Sequence, residues 1–264
     1  MKRILCPLGI LLAVCALGSA QESGRVVVAG HGNGPRLVDA ETSNGSITVK
    51  TYEGKEVIVE SPSLERHDVR TPPGMHRLDL PYGRLEVEEK DNTFTIRDHS
   101  PGGSGAIVVT VPVDTNLHLR SSNGSIRVDG VHGEIDAQTH NGSMRLMNVS
   151  GSVLASSHNS PVIVTMDRVD PSKPSAFSTL NGSVDVTLPG DTKASLKMTT
   201  DNGSIYSDFD VNVSPGRAIT EQNNTGDGRY RVRFDRMISG TINGGGVEMT
   251  FRTANGSIMI RKKK

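Results

Sequence analysis

Apolar and polar residues alternate with period two along most of the chain, and the alternation is organised around a recurring corner. Aligned on asparagine, the corner reads Thr42-Ser43-Asn44-Gly45-Ser46-Ile47, then Ser121-Ser122-Asn123-Gly124-Ser125-Ile126, then Thr139-His140-Asn141-Gly142-Ser143-Met144. A degenerate copy keeps Asn159 but replaces the glycine with Ser160. Three further copies surround Asn181, Asn202 and Asn255. Counted from Asn123, the next four asparagines follow at steps of 18, 18, 22 and 21 residues. A near-fixed period of that size marks a stacked repeat.

The flanks repeat as well. Four residues before each asparagine stand Ala40, Leu119, Ala137, Ala155, Phe177, Met198 and Phe251. Five after stand Val49, Val128, Leu146, Val164, Val186, Ser207 and Ile260. Alternation on both sides of a corner means strand, corner, strand, with one face buried. No segment carries a helical period, so the chain is expected to be all-β.

Two arrangements satisfy this pattern. In an antiparallel hairpin meander or sandwich, Asn-Gly would form a two-residue turn, because both residues tolerate positive φ. In a solenoid of about 18–22-residue coils, each unit would stack on the one before it. Stacking also explains why the corner residues themselves recur, since asparagines about 4.8 Å apart can bond through their amides. It predicts a structural corner ladder of Asn44, Asn123, Asn141, Asn159, Asn181, Asn202 and Asn255, which the inward Ser/Thr hydroxyls would join. A second recurring glycine, Gly133 and then Gly151, marks another corner per coil. The solenoid is therefore the favoured arrangement.

The stretch from Tyr52 to Asn116 lacks the motif but alternates in Lys55–Glu60, Arg84–Glu88 and Thr93–Arg97, and Ala106–Val111 is a continuous apolar run. Two segments rich in turn residues, 61–81 and 208–241, read as loop-rich insertions, the second lying between the fifth and the last coil.

The first twenty residues have a different character. Lys2 and Arg3 precede a mostly apolar run, Ile4–Leu17, and Gly18-Ser19-Ala20 offers a cleavage site. Residues 1–20 are expected to be a signal peptide and 21–264 a single β-repeat domain, exported to the periplasm, the cell surface or the medium. Val14 is a poor residue before a lipidated cysteine, so anchoring at Cys15 is not expected. With Cys6 and Cys15 both in the leader, the mature chain would have no thiol, disulfide or cysteine-based metal site. Without Lys2 and Arg3, 27 basic residues face 29 acidic ones. That balance gives no reason to expect a nucleic-acid partner. No second long apolar run exists to form a transmembrane segment. Tryptophan is absent and aromatics make up only 3% of residues, so the core must rest on aliphatic side chains and tight corners.

Ile107-Val108-Val109-Thr110-Val111-Pro112, with Leu117-His118-Leu119 and the Asn123 corner, resembles the bacterial putative-adhesin family, a domain of unknown function made of β-strand repeats. Gly245-Gly246-Val247-Glu248-Met249 leading into the Asn255 corner resembles it too. The resemblance spans Val26–Ile260. It implies a right-handed β-helix-like fold, export, and no catalytic residues.

Catalytic signatures are not found: no His-Glu-x-x-His, Gly-x-Ser-x-Gly or P-loop pattern occurs. No catalytic residue, metal ligand or cofactor is assigned. His140 and His158 precede asparagine in consecutive coils and would be neighbours in a stack, with Asp201 the nearest ligating residue in their column, three coils from His140. Arg127 and Arg145 would stack similarly, but Ile163 and Asp185 end that column, so no broad basic stripe is expected. His67, Asp68, His76 and Asp79 form a loose cluster without a recognisable ligand spacing. The expected function is non-enzymatic: an adhesin or cell-envelope scaffold binding a surface or envelope component, protein or glycan. The alternatives are a β-helical polysaccharide-active enzyme and an envelope sensor or accessory protein. Against the enzyme, Asp129, Asp136, Asp185 and Asp201 occupy different positions in the unit.

Overall fold

The structure is a computed structural model and describes residues 25–31, 34–61, 85–98, 105–214, 218–221, 231–234 and 237–264. The expected signal peptide and the His67, Asp68, His76 and Asp79 cluster lie outside the described residues, as does most of the 61–81 insertion and part of 208–241. Everything described is strand, turn or loop, and twenty strands join into one sheet.

Each corner joins one strand on a first face to one on a second. In chain order the pairs are β2 (Leu37–Thr42) with β3 (Ile47–Tyr52), and β8 (Asn116–Ser121) with β9 (Ile126–Asp129). Next come β10 (His132–Thr139), β11 (Met144–Ser157) and β12 (Val162–Val169), of which β11 contributes to both faces. Then follow β13 (Ser175–Asn181) with β14 (Val184–Leu188), β15 (Ala194–Asn202) with β16 (Ile205–Ser207), and β21 (Val247–Asn255) with β22 (Ile258–Lys262).

Successive units pair in parallel and in register. Leu117, Leu119 and Ser121 of β8 face Ile135, Ala137 and Thr139 of β10. Met144 and Leu146 of β11 likewise face Ile126 and Val128 of β9. No Asn-Gly corner joins strands that pair antiparallel, so the hairpin arrangement does not hold at the motif. Register is dictated by the period-two pattern: a one-residue slip would move Leu117, Leu119 and their equivalents out of the core and into water. The core is accordingly a set of aliphatic columns, with Val38, Leu117, Ile135 and Val153 stacked along one of them and all buried. Ser175 interrupts that column, and its Oγ accepts a hydrogen bond from the Val153 N–H at 3.1 Å.

The stacking order departs from chain order at both ends. The motif-free stretch forms a coil of its own from β6 (Thr93–Asp98) and β7 (Ile107–Pro112), which stacks on the outer side of β2 and β3. The first coil therefore lies between that coil and β8–β9. At the other end, β21 pairs with β13 on one side and β15 on the other. The last coil is thus inserted between the Asn181 and Asn202 coils rather than added after them, which corrects the sequential order expected from the sequence. Equal side-chain patterns on β15 and β21 make the two coils interchangeable by local pattern alone.

Antiparallel strands cover the ends. At one end β5 (Leu85–Lys90) lies on β6, β4 (Val57–Glu60) on β7, and β1 (Arg25–Val28) on β4. At the other, β20 (Met237–Ile242) lies on β15 and β17 (Asn212–Ser214) on β20. A separate hairpin pairs β18 (Ala218–Glu221) with β19 (Arg231–Phe234). Covering strands of this kind limit the edge-to-edge pairing that an exposed parallel stack would invite.

Candidate interaction face

The corner itself is built from three sets of contacts. First, every corner asparagine amide except that of Asn44 donates to the carbonyl oxygen of the asparagine in the adjacent coil. Asn123 donates to Asn44 at 2.9 Å, Asn141 to Asn123 at 2.8 Å, Asn159 to Asn141 at 2.7 Å and Asn181 to Asn159 at 2.8 Å. Asn255 continues the run to Asn181 at 2.8 Å, and Asn202 to Asn255 at 2.9 Å. All seven asparagines singled out from the sequence are brought into one line, with Asn255 and Asn202 exchanged relative to chain order.

Second, the inward Ser/Thr hydroxyls do not join that line, contrary to expectation. They donate instead to backbone carbonyls of the neighbouring corner: Ser121 to Gly45 at 2.9 Å, Thr139 to Gly124 at 2.9 Å, Thr253 to Gly182 at 2.8 Å. Third, the same carbonyls press against the next glycine. A Cβ on Gly142 would lie 2.0 Å from the Gly124 oxygen, and one on Gly124 would lie 1.8 Å from the Gly45 oxygen. Positive φ is not the reason for Asn-Gly here. Among the described non-glycine residues it occurs at Asp91, Asn92, Asn148 and Asn243, none of them a corner asparagine. Close backbone approach fixes the glycine and the amide line fixes the asparagine.

This framework aligns the outward side chains into columns. Five residues before asparagine, Asp39, His118 and Asp136 lie side by side. His118 Nδ1 is 3.2 Å from Asp39, and its Nε2 is 3.6 Å from Asp136. Arg97, contributed by β6, reaches Asp39 at 2.6 Å and Glu41 at 3.5 Å. Burial alone would raise the Asp39 pKa, but the Arg97 hydrogen bond and the charges of Arg97, His118 and Arg120 outweigh it and hold the carboxyl below its ordinary range. The Asp39 hydrogen bond in turn raises the Arg97 pKa. Sequence reasoning missed this network. Reading the outward column with the same ruler as the inward one would have found Asp39, His118 and Asp136, but Arg97 belongs to the motif-free coil.

Beside the corners, an open groove of about 280 Å³ crosses several coils. One wall carries Arg120, Gln138 and Ser156, the other Ser122, His140 and His158, and Ser121, Thr139 and Ser157 form the floor. The His140 and His158 rings are stacked, with centroids 5.4 Å apart and planes at 26°. Asp201 is one coil further away than chain order implied, because Ala254 intervenes in its column. Among the described residues no group of three or more His, Cys, Asp or Glu is placed to hold a metal ion.

The other candidates fall elsewhere. Arg127 and Arg145 are cross-strand neighbours, followed in their column by Ile163 and Asp185 as the sequence implied. His31 hydrogen-bonds Glu89 through its backbone N–H at 3.0 Å and its ring at 2.9 Å. Near Lys262, Arg261 pairs with Asp185, Lys263 pairs with Asp167, and the Lys262 Nζ lies 5.9 Å from the Phe209 ring centre.

Residues 38–243 match the family described as Toastrack DUF4097, which is more than half of the chain. The chain belongs to the Toastrack DUF4097 family. A putative cell adhesion protein from Clostridium sporogenes is a similar solved structure, with 13% identity over 90% of the Toastrack chain and 98% of its own, at a TM-score of 0.42. No curated protein matches the chain. Among the described residues of this Toastrack protein, no helix is long and apolar enough to cross a membrane.

Proposed function

We propose that the chain is an exported, non-enzymatic binding module, an adhesin or envelope scaffold that presents a rigid outer face to a surface or envelope component. In this reading residues 1–20 are removed on export, residues 21–264 act as one β-repeat domain, and the coils wind as a right-handed β-helix-like solenoid. The supporting observation is the polar groove of Arg120, Gln138, His140 and His158, carried on strands whose register is fixed on both sides. Side chains mounted on paired strands hold their positions better than side chains on loops, which suits recognition. The Asp39–His118–Asp136 carboxylates and ring are engaged with one another and with Arg97, which suits a structural network more than acid–base turnover.

The test is a binding screen of the mature chain against defined arrays of envelope and matrix proteins and glycans. Saturable binding that survives moderate salt supports the reading. Release of reducing sugar from any arrayed polysaccharide, abolished by Asp136→Asn, would replace it with the enzyme alternative.

A further inference from the structure

The groove beside the corners gathers several polar side chains without partners among the described residues. Several charges elsewhere are matched: Arg97 with Asp39, Lys197 with Glu248, Arg261 with Asp185, Lys263 with Asp167. In the groove, Arg120 makes no ion pair or hydrogen bond with the described residues, and it acts on Asp39 only through space. The His140 and His158 rings meet each other and make no side-chain hydrogen bond. Beneath them Ser157 is only 6% exposed, and its Oγ is buried with no partner. Ser121, Thr139 and Thr179, its equivalents in other coils, all donate to corner carbonyls. Glu41, the cross-strand neighbour of Arg120 at one end of the groove, turns toward Arg97 at 3.5 Å and makes no ion pair with Arg120. A guanidinium without an ion pair and two exposed, stacked imidazoles thus line one open groove, above the enclosed Ser157 hydroxyl.

We infer that this groove binds a carboxylate-bearing glycan strand lying along the stack. This ligand assignment rests on the reading of the chain as a binding module. Arg120 offers the planar fork that recognises a carboxylate through two hydrogen bonds. The Gln138 amide, the Ser122 hydroxyl and the imidazoles match sugar hydroxyls, which both donate and accept. The groove runs across the strands, so its groups recur at the strand spacing of about 4.8 Å. Pyranose rings along an extended chain recur at a similar spacing. An acidic peptide fits less well: extended peptides add to a free strand edge, and amphipathic helices need an apolar groove. Here the floor strands are paired on both sides and the walls are polar.

The experiment is calorimetric titration of the intact chain with oligomers of uronic and sialic acids, hexagalacturonate first, alongside its methyl ester and a glutamate hexapeptide. The expected result is binding of an acidic glycan and not of the ester. Arg120→Gln should weaken it about tenfold or more, the loss of one charge-assisted contact. Arg127→Gln, on β9 and outside the groove, should change it little, and circular dichroism of both variants should match the parent. The inference is overturned if no acidic glycan binds, if the ester or the peptide binds as well, or if Arg127→Gln weakens binding as much as Arg120→Gln. If a neutral glycan or an arrayed protein binds instead and His140→Ala abolishes it, the ligand assignment fails while the binding-module reading stands. Inertness toward the acidic oligomers and both arrays removes both.

Discussion

The side-chain amide of Asn255 donates to Asn181 at 2.8 Å across 74 residues of sequence, and Asn202 donates to Asn255 at 2.9 Å. A line of amides that reads as a simple repeat in the sequence is therefore assembled out of chain order. Its continuity depends on the last coil entering between two earlier ones, so the strands near the C-terminus are interior members of the sheet.

The amide line should contribute measurably to stability. Asn141→Ala removes one hydrogen bond given and one accepted, to Asn123 and from Asn159. These amides are exposed, so the loss should be about 1–2 kcal/mol. Asn44 only accepts, from Asn123, and Asn44→Ala should cost about half as much. Urea denaturation of the two variants gives the comparison. An Asn141→Ala effect no larger than that of Asn44→Ala would show that the line adds little.

The coil order can be checked through the core. Phe177 and Phe251 are fully buried and stacked, with ring centres 5.2 Å apart. Sequential stacking would instead have set Phe177 against Met198. Phe251→Ala should destabilise by about 3–5 kcal/mol. A double-mutant cycle between Phe177→Leu and Phe251→Leu should give a coupling of about 0.5–1.5 kcal/mol. Coupling between Phe177 and Met198 that exceeds it would contradict the inserted coil.

Corner glycines should be intolerant for a steric reason. The missing Cβ of Gly142 is replaced by the backbone oxygen of Gly124, which cannot rotate away. Gly142→Ala should cost more than about 3 kcal/mol or disrupt folding. At Gly34 a Cβ meets nothing within 4 Å, and Gly34→Ala should stay within about 0.5 kcal/mol of the parent. Thermal melts of both variants are sufficient, and equal effects would refute the close-contact explanation.

Acid should loosen the Asp39 network. Its pKa is lowered in the folded chain from the ordinary value of 3.8, so the folded state favours the ionised form. The stability it contributes is present above 3.8 and is lost as pH falls through the lower folded value. Arg97→Gln removes the main stabilising partner and should narrow that loss. Denaturation midpoints measured from neutral to acidic pH should therefore converge for parent and variant at the acid end. Parallel curves down to the lowest pH would argue against Arg97 as the cause.

Much of this was legible without coordinates because period two and the corner residues report local requirements. Alternation places Leu117 and Leu119 inward whatever the partner strand is. The asparagine line and the His140–His158 contact follow from consecutive coils, where chain order and stacking order agree. The outward network was harder to see. Arg97 lies in a coil with no asparagine, and only its pairing with β2 brings it to Asp39 and Glu41. The close contact at Gly142 and the Thr139 bond to a corner carbonyl were not legible, because a corner glycine and an inward hydroxyl have the same sequence signature whatever they touch.

By itself the sequence determined an all-β chain, which side chains point inward, and which asparagines are equivalent, since each is set by residues a few positions apart. Only the tertiary structure decided which coil lies beside which. Every coil presents nearly the same faces, so local pattern cannot rank the possible neighbours. The choice follows from burial summed over whole strands, from fits such as Phe177 on Phe251, and from the antiparallel strands that cover the two ends.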